Sequence, residues 1–368
     1  MRKLVVILPT YNEEKNILRL IEGIFANEKK LPNWEIHVIV VDSNSPDQTQ
    51  SIVLALIEKY PKLHLLRTKK EGLGKAYVQG FTSALERLNP YLIFEMDADM
   101  SHNPKEIPHF VHKIEQGADF VIGSRYMKGG SIPKNWPIQR KIYSTAANLY
   151  VRFAFMKLRI TDWTSGYRAI KSWLIKNAIS QVKDYSGYVF QVALLDFAVK
   201  NKSHIEEVPI QFVDRIHGKS KINSFQYIIQ TLFYVLFHSS FIKYAMVGLI
   251  GFTIDFGISY IGIEKLALQV WIATLISTEI SIISNFFLNN FWSFSHKKLD
   301  HSMKSYVPNF LKFNLVSSGS IVIQTVGVQL LTMFFGRKFW YIYKVCIIAF
   351  IIIPYSYILY NKFIWKDR

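Results

Sequence analysis

The amino-acid sequence predicts an α/β domain built on a parallel sheet, followed by a membrane domain of four helices. Five short apolar runs alternate with helical patterns in the first third of the chain, and strands that are apolar on both faces are typical of parallel sheets covered by helices. Hydropathy rises near residue 240, and four apolar stretches beyond it are long enough to span a bilayer. A chain of 368 residues has room for two such domains.

The predicted elements follow one another without long gaps. Strands are expected at 4–8, 36–41, 63–66, 91–97 and 120–123, and helices at about 13–26, 47–60, 75–88 and 104–115. In parallel sheets ligands bind beyond the carboxyl ends of the strands. Polar loops follow four of the five strands at that edge: residues 9–13 (PTYNE), 42–47 (DSNSPD), 97–99 (DAD) and 123–126 (GSRY). Neither a GxGxxG after the first strand nor a GxxxxGK[ST] occurs, so the sequence supports neither a dinucleotide fingerprint nor a P-loop.

Two carboxylates, Asp97 and Asp99, end the fourth predicted strand. Side chains two residues apart in an extended backbone point the same way, so the two carboxylates are expected to converge. Converging negative charges favour a hard divalent cation that also holds phosphate oxygens. The alternative is a polar strand end with two solvated acids, because Asp-x-Asp is a common pattern.

The four polar loops, in this order and spacing, resemble those of family 2 nucleotide-sugar glycosyltransferases, and most closely the dolichyl-phosphate or polyprenyl-phosphate mannose synthases. The resemblance extends over essentially the whole chain. It implies a Rossmann-like nucleotide-diphospho-sugar transferase fold of the GT-A type, and a divalent cation, Mg²⁺ or Mn²⁺, at the single Asp-x-Asp. It also implies inverting transfer of a hexose to dolichyl or polyprenyl phosphate, with GDP-mannose as the favoured donor.

The resemblance also assigns roles to individual residues. The nucleotide pocket would be lined by Pro9, Tyr11, Glu13, Val41, Asp42 and Ser43. The donor diphosphate and sugar would meet Asp97, Ala98 and Asp99, and the metal would face Asp99 and Ser101. One position departs from the family pattern, because many relatives have a second acid where this chain has Ser43. A carboxylate accepts two hydrogen bonds from a guanine edge and a hydroxyl does not, so a UDP-sugar remains an alternative donor.

A basic segment, residues 125–171, contains ten basic side chains and one acidic side chain. The resemblance places Arg125, Arg140 and Ser144 on the phosphate of the lipid acceptor, a task that suits the rigid guanidinium fork of arginine. Residues 132–142 would lie against the membrane and sort the prenyl chain. The lysines of this segment are interpreted as solvated or membrane-facing surface.

Two further motifs complete the predicted site. Residues 162–168 (DWTSGYR) match the family's Asp-x-x-Ser-Gly-Phe/Tyr loop, in which Ser165 and Gly166 are interpreted as a turn into a strand. Residues 215–221 (RIHGKSK) form a basic loop that, by the resemblance, closes over the donor diphosphate through Arg215 and Lys221. The alternative for this loop is a juxtamembrane patch on anionic lipid. The residues with catalytic roles would then be Asp99, Arg125, Arg140 and Lys221.

The last third of the chain has the composition of a membrane domain. An interfacial amphipathic helix is expected at 225–237, and spans are expected at 242–263, 268–294, 310–335 and 339–361. The predicted division is a cytosolic glycosyltransferase domain at 1–222, an interfacial segment at 223–240 and a transmembrane domain at 241–368. Positive-inside counting places the catalytic domain and both termini in the cytoplasm, as in a multi-pass protein of a prokaryotic plasma membrane. An oligomer formed through the transmembrane domain is compatible with this arrangement.

Charge and composition limit the partners. The net charge of +17 favours partners that carry phosphate, here a nucleotide and a lipid bilayer, and nucleic acid is not expected. A single cysteine, Cys346, excludes a disulfide framework. The apolar run at 4–8 is too short for a signal peptide and is interpreted as a strand.

Two alternative functions remain at this point. The nearer one keeps the fold and uses UDP-glucose or another UDP-sugar on undecaprenyl phosphate. The other comes from a different class, because the four spans resemble the flippase-like module found beside or fused to these synthases. In that case the chain would be a flippase for lipid-linked sugars with a non-catalytic front domain.

Overall fold

The computed structural model describes residues 1–185, 187–214 and 224–366. Contacts divide the chain into two compact units, Met1–Tyr234 and Val235–Arg368. The two units differ in construction: the first is α/β and the second is all-helical.

A seven-stranded mixed sheet forms the centre of the first unit. Its strands are β1 (Arg2–Thr10), β2 (Trp34–Asp42), β3 (Leu63–Arg67), β4 (Leu92–Glu95), β5 (Phe120–Ser124), β6 (Arg168–Lys171) and β7 (Ile205–Pro209). Their order across the sheet is β3-β2-β1-β4-β6-β5-β7. The pairs β1–β2, β1–β4, β2–β3 and β5–β7 are parallel, whereas β6 is antiparallel to both β4 and β5.

The prediction of a purely parallel sheet is therefore wrong at β6. The five strands predicted from the sequence do run in one direction, but a sixth is inserted between β4 and β5 and runs the opposite way. The reversal arises because the chain enters β6 from the edge at which the other strands end. Residues that precede β6 consequently lie at the same edge as residues that follow β1, β2, β4 and β5.

Helices cover the sheet and bury its apolar strands. They are α1 (Ile17–Phe25), α2 (Thr49–Lys59), α3 (Leu73–Arg87), α4 (Ile107–Glu115), α5 (Ile138–Ala154), α6 (Ser172–Val182) and α7 (Gly187–Lys200). The side chains of Leu4 to Leu8 in β1 have no solvent exposure, which explains why these five consecutive positions are all apolar. Each fully buried Leu or Ile side chain contributes about 1.5–3 kcal/mol relative to an exposed one. The helix α8 (Ser224–His238) contains the boundary between the units.

Two predicted boundaries near the sheet edge are wrong, and both errors have a local cause. The first helix begins at Ile17 rather than near Glu13, where the chain is still in a turn: the backbone N–H groups of Glu13 and Glu14 donate to the side chains of Thr49, at the start of α2, and Asp47. The fourth strand ends at Glu95 rather than Asp97. The Asp97 N–H donates to the ring of His102 instead of joining the sheet.

The second unit is built from helices α9 (Ser240–Tyr260), α10 (Val270–Leu288), α11 (Met303–Phe335), α12 (Trp340–Ile347) and α13 (Ile353–Phe363). π-Helical turns extend three of them. Four helical segments are long and apolar enough to cross a membrane: Ser240–Lys265, Ile272–Ser293, Met303–Phe335 and Ile342–Phe363. They correspond to the four spans predicted from the sequence, except that the third helix begins at Met303, ahead of the expected residue 310.

Polar side chains join neighbouring helices in the second unit. The Asp255 carboxylate of α9 accepts hydrogen bonds from Ser277 and Thr278 of α10, at 2.7 and 3.2 Å. The Ser281 hydroxyl donates to the carbonyl of Gly251, where a side chain on the glycine would meet Asn285. These contacts satisfy polar groups that would be costly in an apolar environment, and they fix α9 against α10.

Candidate functional site

Loops after three neighbouring strands, β1, β2 and β3, enclose a cleft of about 540 Å³. Its lining consists of Tyr11, Ser43, Asn44, Arg67, Thr68, Lys69 and Lys70. The ammonium group of Lys70 lies 3.7 Å from the centroid of the Tyr11 ring, which is a cation–π contact. An aromatic face, hydroxyl groups and three cations suit a planar base attached to phosphate.

The sequence analysis identified Tyr11 and Ser43 of this cleft and missed residues 67–70. These residues follow β3, and β3 ends at the same sheet edge as β1 and β2. The position of these residues after the third predicted strand could have identified them, since ligands bind beyond the carboxyl ends of all the parallel strands.

Asp42 lies beneath the cleft and holds its loops together. Its side chain is fully buried. One carboxylate oxygen accepts from the Ser45 N–H and the Gln50 amide, at 2.9 and 2.6 Å. The other accepts from the hydroxyl groups of Ser45 and Thr10, at 2.6 and 3.2 Å. With two partners at each oxygen, this carboxylate anchors the β1 and β2 loops, and Ser43 is the neighbour that lines the cleft.

The other residues predicted for the nucleotide pocket also lie at the ends of β1 and β2 or in the loop after β1. Pro9 and Val41 are opposite each other in the β1–β2 register, and the Val41 side chain is fully buried. The Glu13 N–H donates to Thr49, and the Glu13 carboxylate accepts from Asn16 at 2.9 Å. Of this group, Tyr11 and Ser43 line the cleft and Pro9, Val41 and Asp42 support it.

Asp97 lies beyond the end of β4, and Ala98 and Asp99 form the turn that follows, so none of the three belongs to an extended strand. Asp99 is buried, and one of its oxygens accepts the Ser101 N–H at 3.0 Å. The intervening Met100 has a φ of 66°, a left-handed conformation that a non-glycine residue adopts only where its surroundings impose it. The prediction that an extended backbone aligns the two carboxylates is thus wrong, although both remain at the sheet edge.

The residues of this turn fit a divalent cation. The Ser101 hydroxyl is buried and has no hydrogen-bond partner among the residues that the structure describes. Carboxylate and hydroxyl oxygens are hard ligands of the kind that Mg²⁺ and Mn²⁺ prefer. The described ranges contain no group of three or more His, Cys, Asp and Glu side chains arranged for a metal. Such a site therefore depends on water and substrate phosphate for its remaining ligands, as is common for Mg²⁺.

His102 supports the same turn and was not assigned a role from the sequence. Its Nδ1 accepts the Asp97 N–H at 3.0 Å, which places the ring proton of the neutral form on Nε2, 3.8 Å from the Asp97 carboxylate. The ring stacks on Tyr167 with centroids 4.8 Å apart. Burial lowers the pKa of His102, and the nearby charges of Asp97 and Asp99 raise it without offsetting that effect. His102 is therefore a neutral support of Asp97.

Arg125 and Asp162 form a buried ion pair beside this turn. The guanidinium donates from Nε and Nη2 to the two carboxylate oxygens, at 2.7 and 2.8 Å, and Nη2 also donates to Thr164. Burial alone would raise the pKa of Asp162. The charge of Arg125 and hydrogen bonds from Arg125 and Thr164 outweigh burial and hold this pKa below its usual value. The pair connects the end of β5 to the loop that precedes β6.

The other residues predicted for the acceptor phosphate lie on α5. The exposed Arg140 guanidinium stacks 3.9 Å from the centroid of the Trp136 ring and lies 3.5 Å from Asp214. The Ser144 hydroxyl shares a 2.6 Å hydrogen bond with Tyr126. Exposed apolar side chains also occur on this helix: Ile138, Ile142, Tyr143, Leu149 and Phe153. The two arginines thus have different partners: Arg125 pairs with Asp162 in the interior, and Arg140 lies near Asp214 at the surface.

A buried polar cluster lies behind Asp97. Glu95 and Arg168 have no solvent exposure, and their nearest charged atoms are 3.9 Å apart. Burial raises the pKa of Glu95 to about 7 even though Arg168 lowers it, and burial lowers the pKa of Arg168 to about 10. The sequence analysis did not identify this cluster, because nothing in an apolar strand predicts that Glu95 points inward.

Two residues predicted to contact the donor, Arg215 and Lys221, lie outside the described residues. Phe212 comes shortly before them and is packed into the site. Its ring lies 5.6 Å from the Arg125 guanidinium and 5.8 Å from the His102 ring. The last described residues before position 215 therefore include one that packs against two side chains of the site.

Comparisons with known families match both units of the chain. Residues 5–182 match glycosyl transferase family 2. Residues 243–365 match the family described as GtrA/DPMS, transmembrane domain. The match to the second family agrees with the four apolar helices, and the protein is a multi-pass membrane protein.

Similar proteins include two named transferases. The dolichol-phosphate mannosyltransferase of Pyrococcus furiosus is 32% identical over 347 residues, which cover 91% of this chain and 92% of that protein. The polyprenol monophosphomannose synthase of Mycolicibacterium smegmatis is 38% identical over 224 residues, which cover 60% of this chain and 82% of that protein. Among solved structures, glucosyl-3-phosphoglycerate synthase of Mycobacterium tuberculosis has a TM-score of 0.46 at 19% identity, covering 65% of this chain and 80% of that chain.

Proposed function

We propose that this chain, which belongs to the family 2 glycosyltransferases that carry a GtrA/DPMS transmembrane domain, transfers mannose from GDP-mannose to dolichyl or polyprenyl phosphate. As a member of that family it is a glycosyltransferase. The observation that carries the proposal is the arrangement of one sheet edge. A cationic cleft with an aromatic wall lies after β1, β2 and β3, and the Asp97–Asp99 turn follows β4, the parallel neighbour of β1. The activities in the names of its relatives support the sugar and the acceptor class.

The proposed reaction needs positioning and charge stabilisation rather than a strong base. An oxygen of the prenyl phosphate attacks the anomeric carbon, and the bond from that carbon to the nucleotide diphosphate oxygen breaks, with inversion. The attacking oxygen is already ionised near pH 7, so no proton must be removed from it. The protein has to hold two phosphate-bearing substrates in line, a task that accounts for the many Arg and Lys residues around the site.

Each group of site residues has a part in this reaction. Tyr11 and Ser43 would bind the nucleoside, and Asp97 would contact the diphosphate and sugar. Asp99 and Ser101 would hold Mg²⁺ or Mn²⁺, which would neutralise charge on the departing diphosphate. Arg140, exposed on α5, would bind the acceptor phosphate, with Ser144 and Arg125 close by.

Contacts to the diphosphate from Arg215 and Lys221 remain part of the proposal. We also propose that residues 1–222 face the cytoplasm, that 223–240 lie at the membrane surface, and that both termini are cytoplasmic.

A UDP-sugar is the second candidate donor, and the cleft itself favours it. Guanine presents N–H donors that a carboxylate usually accepts, but the carboxylate of Asp42 already has two partners at each oxygen. The described lining contains three cations and no acid. Such a lining supplies donors to the carbonyl oxygens of uracil.

The experiment combines a donor panel with one variant. Membranes containing the full chain are incubated with polyprenyl phosphate and with GDP-mannose, UDP-glucose or another UDP-sugar, and the lipid product is detected by mass. We expect the wild type to form a prenyl-phosphate hexose from GDP-mannose and the Asp99→Ala variant to form none. A product from a UDP-sugar alone would show that the donor is a UDP-sugar and not GDP-mannose. Full activity in Asp99→Ala would refute the proposed metal site. The absence of any product, even in a single turnover, would favour the flippase alternative.

A further inference from the structure

The Asp97 carboxylate is partly open to solvent and is otherwise bordered by protein. Its side chain is 35% exposed, and its Oδ2 atom lies 3.8 Å from His102 Nε2. A Cβ atom placed on Gly166 would lie 3.7 Å from Asp97 Oδ1, so this oxygen lies close to the loop before β6. The carboxylate proposed to contact the donor can therefore be reached by substrate while its orientation is set from the interior.

A hydroxyl group from α3 borders the same carboxylate. Tyr77 is fully buried, and its hydroxyl has Asp97 as a hydrogen-bonding neighbour. The contact is loose, since this hydroxyl has no partner at close hydrogen-bond distance and angle among the described residues. Hydrogen bonds of catalytic groups are often long in free enzymes and tighten when the substrate binds. Tyr77 is thus placed to hold Asp97 from the interior.

Tyr77 is the donor in this contact. Burial raises the pKa of its hydroxyl well above the usual value, and the negative charges of Asp97 and Glu95 raise it further. The hydroxyl consequently keeps its proton at neutral pH, and an ionised carboxylate accepts hydrogen bonds without donating them. A hydrogen bond to an ionised acceptor is stronger than one between neutral groups, so this contact can orient the carboxylate.

The Tyr77 ring is fixed by close packing. It stacks on the rings of Phe81 and Phe190, whose centroids lie 5.8 and 5.9 Å from its own. The helix α3 itself lies close against the sheet, because a Cβ atom on Gly80 would come within 2.5 Å of the Ile7 side chain in β1. Packing of this kind leaves the hydroxyl little freedom to move away from Asp97.

The second acid near Tyr77 has other partners. Glu95 accepts a hydrogen bond from Gln191 and lies 3.9 Å from Arg168. Arg168 in turn donates to the carbonyl of Gln191 at 2.7 Å. These three residues interact with one another, which leaves Asp97 as the acceptor for the Tyr77 hydroxyl.

We propose that Tyr77 is a positioning residue for sugar transfer, whose hydroxyl donates to Asp97 and sets the orientation in which that carboxylate meets the donor. This proposal rests on the proposed function and adds to it a residue that is too deeply buried to touch the substrate. His102 fixes the backbone at Asp97, and Tyr77 fixes its carboxylate. Small displacements of a group that contacts the reacting atoms are costly in rate.

Tyr77→Phe tests the proposal, because phenylalanine keeps the stacked ring and removes only the hydroxyl. The full-length protein in detergent is assayed with whichever of GDP-mannose and UDP-glucose the wild type uses, and its affinity for GDP or UDP is measured separately. We expect kcat to fall about 10-fold. KM for the donor and the affinity for the nucleoside diphosphate should stay near the wild-type values, because the cleft that contains Tyr11 and Ser43 is unchanged.

Tyr234→Phe is the matched control. It also removes a buried hydroxyl that donates to a carboxylate, that of Asp196 at 2.8 Å, but that carboxylate has no proposed role in transfer. The control should lower the melting temperature at least as much as Tyr77→Phe and leave kcat unchanged. If kcat falls no further in folded Tyr77→Phe than in the control, or if nucleoside diphosphate affinity falls by the same factor as kcat, the positioning role is refuted.

A second pair of variants asks whether Tyr77 acts through Asp97. Asp97→Asn keeps the size of the side chain and removes its charge, so Tyr77→Phe should lower the single-turnover rate less in this background than in the wild type. Equal factors in the two backgrounds would show that the hydroxyl acts independently of Asp97 and would overturn the proposal. If the wild type transfers sugar from neither donor, the proposed function itself fails.

Discussion

Arg125 and Asp162 meet through two hydrogen bonds of 2.7 and 2.8 Å while 7% and 0% of their side chains are exposed. Asp162 also accepts the backbone N–H groups of Arg125, Thr164 and Ser165. A carboxylate with so many donors fixes the shape of the loop before β6. The pair thus organises the site even though neither side chain is open to solvent.

Removing one member of this pair should be costly. We expect Asp162→Asn, or Arg125→Leu, to lower the free energy of unfolding by about 3–5 kcal/mol, because a buried charge is left without its partner. Thermal unfolding of the purified protein in detergent measures the effect. Glu22→Gln, which breaks an exposed pair with Lys59, is the control and should change little. A loss of stability in Glu22→Gln as large as that in Asp162→Asn or Arg125→Leu would contradict this account.

Ser101→Ala should change the response to metal and not the fold. The hydroxyl has no described protein partner, so its loss should leave the melting temperature in EDTA unchanged. We expect the Mg²⁺ or Mn²⁺ concentration for half-maximal transfer to rise about 10-fold. Ser172→Ala removes another buried hydroxyl without a partner, at the start of α6, and should not affect the metal requirement. An unchanged requirement in Ser101→Ala would show that this hydroxyl is not a ligand.

Tyr11→Ala should weaken nucleotide binding. The Tyr11 ring forms the aromatic wall of the cleft, and stacking of a base on an aromatic side chain contributes about 1–3 kcal/mol. Calorimetric affinity for GDP or UDP should therefore fall by about 5- to 150-fold. Tyr11→Phe retains the ring and should bind nearly as well as the wild type. A matched loss in both variants would mean that the hydroxyl, rather than stacking, is responsible.

Glu95 should make stability depend on pH. Its pKa in the folded protein is about 7, above the ordinary value of 4.5, so the folded state favours the protonated form. The stabilisation is complete below pH 4.5 and is lost as the pH rises through 7, a difference of up to about 3 kcal/mol. Melting temperatures of the wild type should therefore fall more steeply between pH 5 and 8 than those of Glu95→Gln. If the melting temperatures of the wild type and Glu95→Gln changed with pH in the same way, Glu95 would not be the source of the pH dependence.

Two glycines in α9 should respond differently to the same substitution. A Cβ at Gly251 would collide with Asn285 of α10, whereas one at Gly248 would meet nothing within 4 Å. Gly251→Val should cost about 1–3 kcal/mol through overpacking and lower the resistance of the helices to SDS. Gly248→Val should leave both the stability and the resistance to SDS near the wild-type values. The comparison tests the close approach of α9 and α10 independently of the transferase chemistry.

The sequence predicted the elements that depend on continuous hydrophobicity. Strands β1 to β5 and the four spans correspond to predominantly apolar runs in the sequence, which follow directly from burial on both faces or in lipid. The loops with Tyr11, Ser43 and Asp99 were predicted to share one sheet edge, because parallel strands end together. Their roles in binding donor and metal remain predictions.

Features that depend on long-range contacts could not be predicted. The reversed strand β6 is short, and its direction is set by where the preceding loop packs. The inward orientation of Glu95 depends on Arg168, which lies 73 positions later in the chain. Asp42 was expected in the nucleotide pocket, and only the tertiary structure reveals the four donors that hold it beneath that pocket.

The reversal of β6 sets a distance along the chain. Residues 155–165 are all that separates the end of α5 from Gly166, and Asn148 of α5 fastens this segment through Thr161 and Trp163. The helix proposed to bind the lipid phosphate is thus joined by one short, fastened segment to Gly166, which lies beside Asp97. A movement of α5 would therefore be transmitted along the backbone to the turn proposed to hold the donor diphosphate.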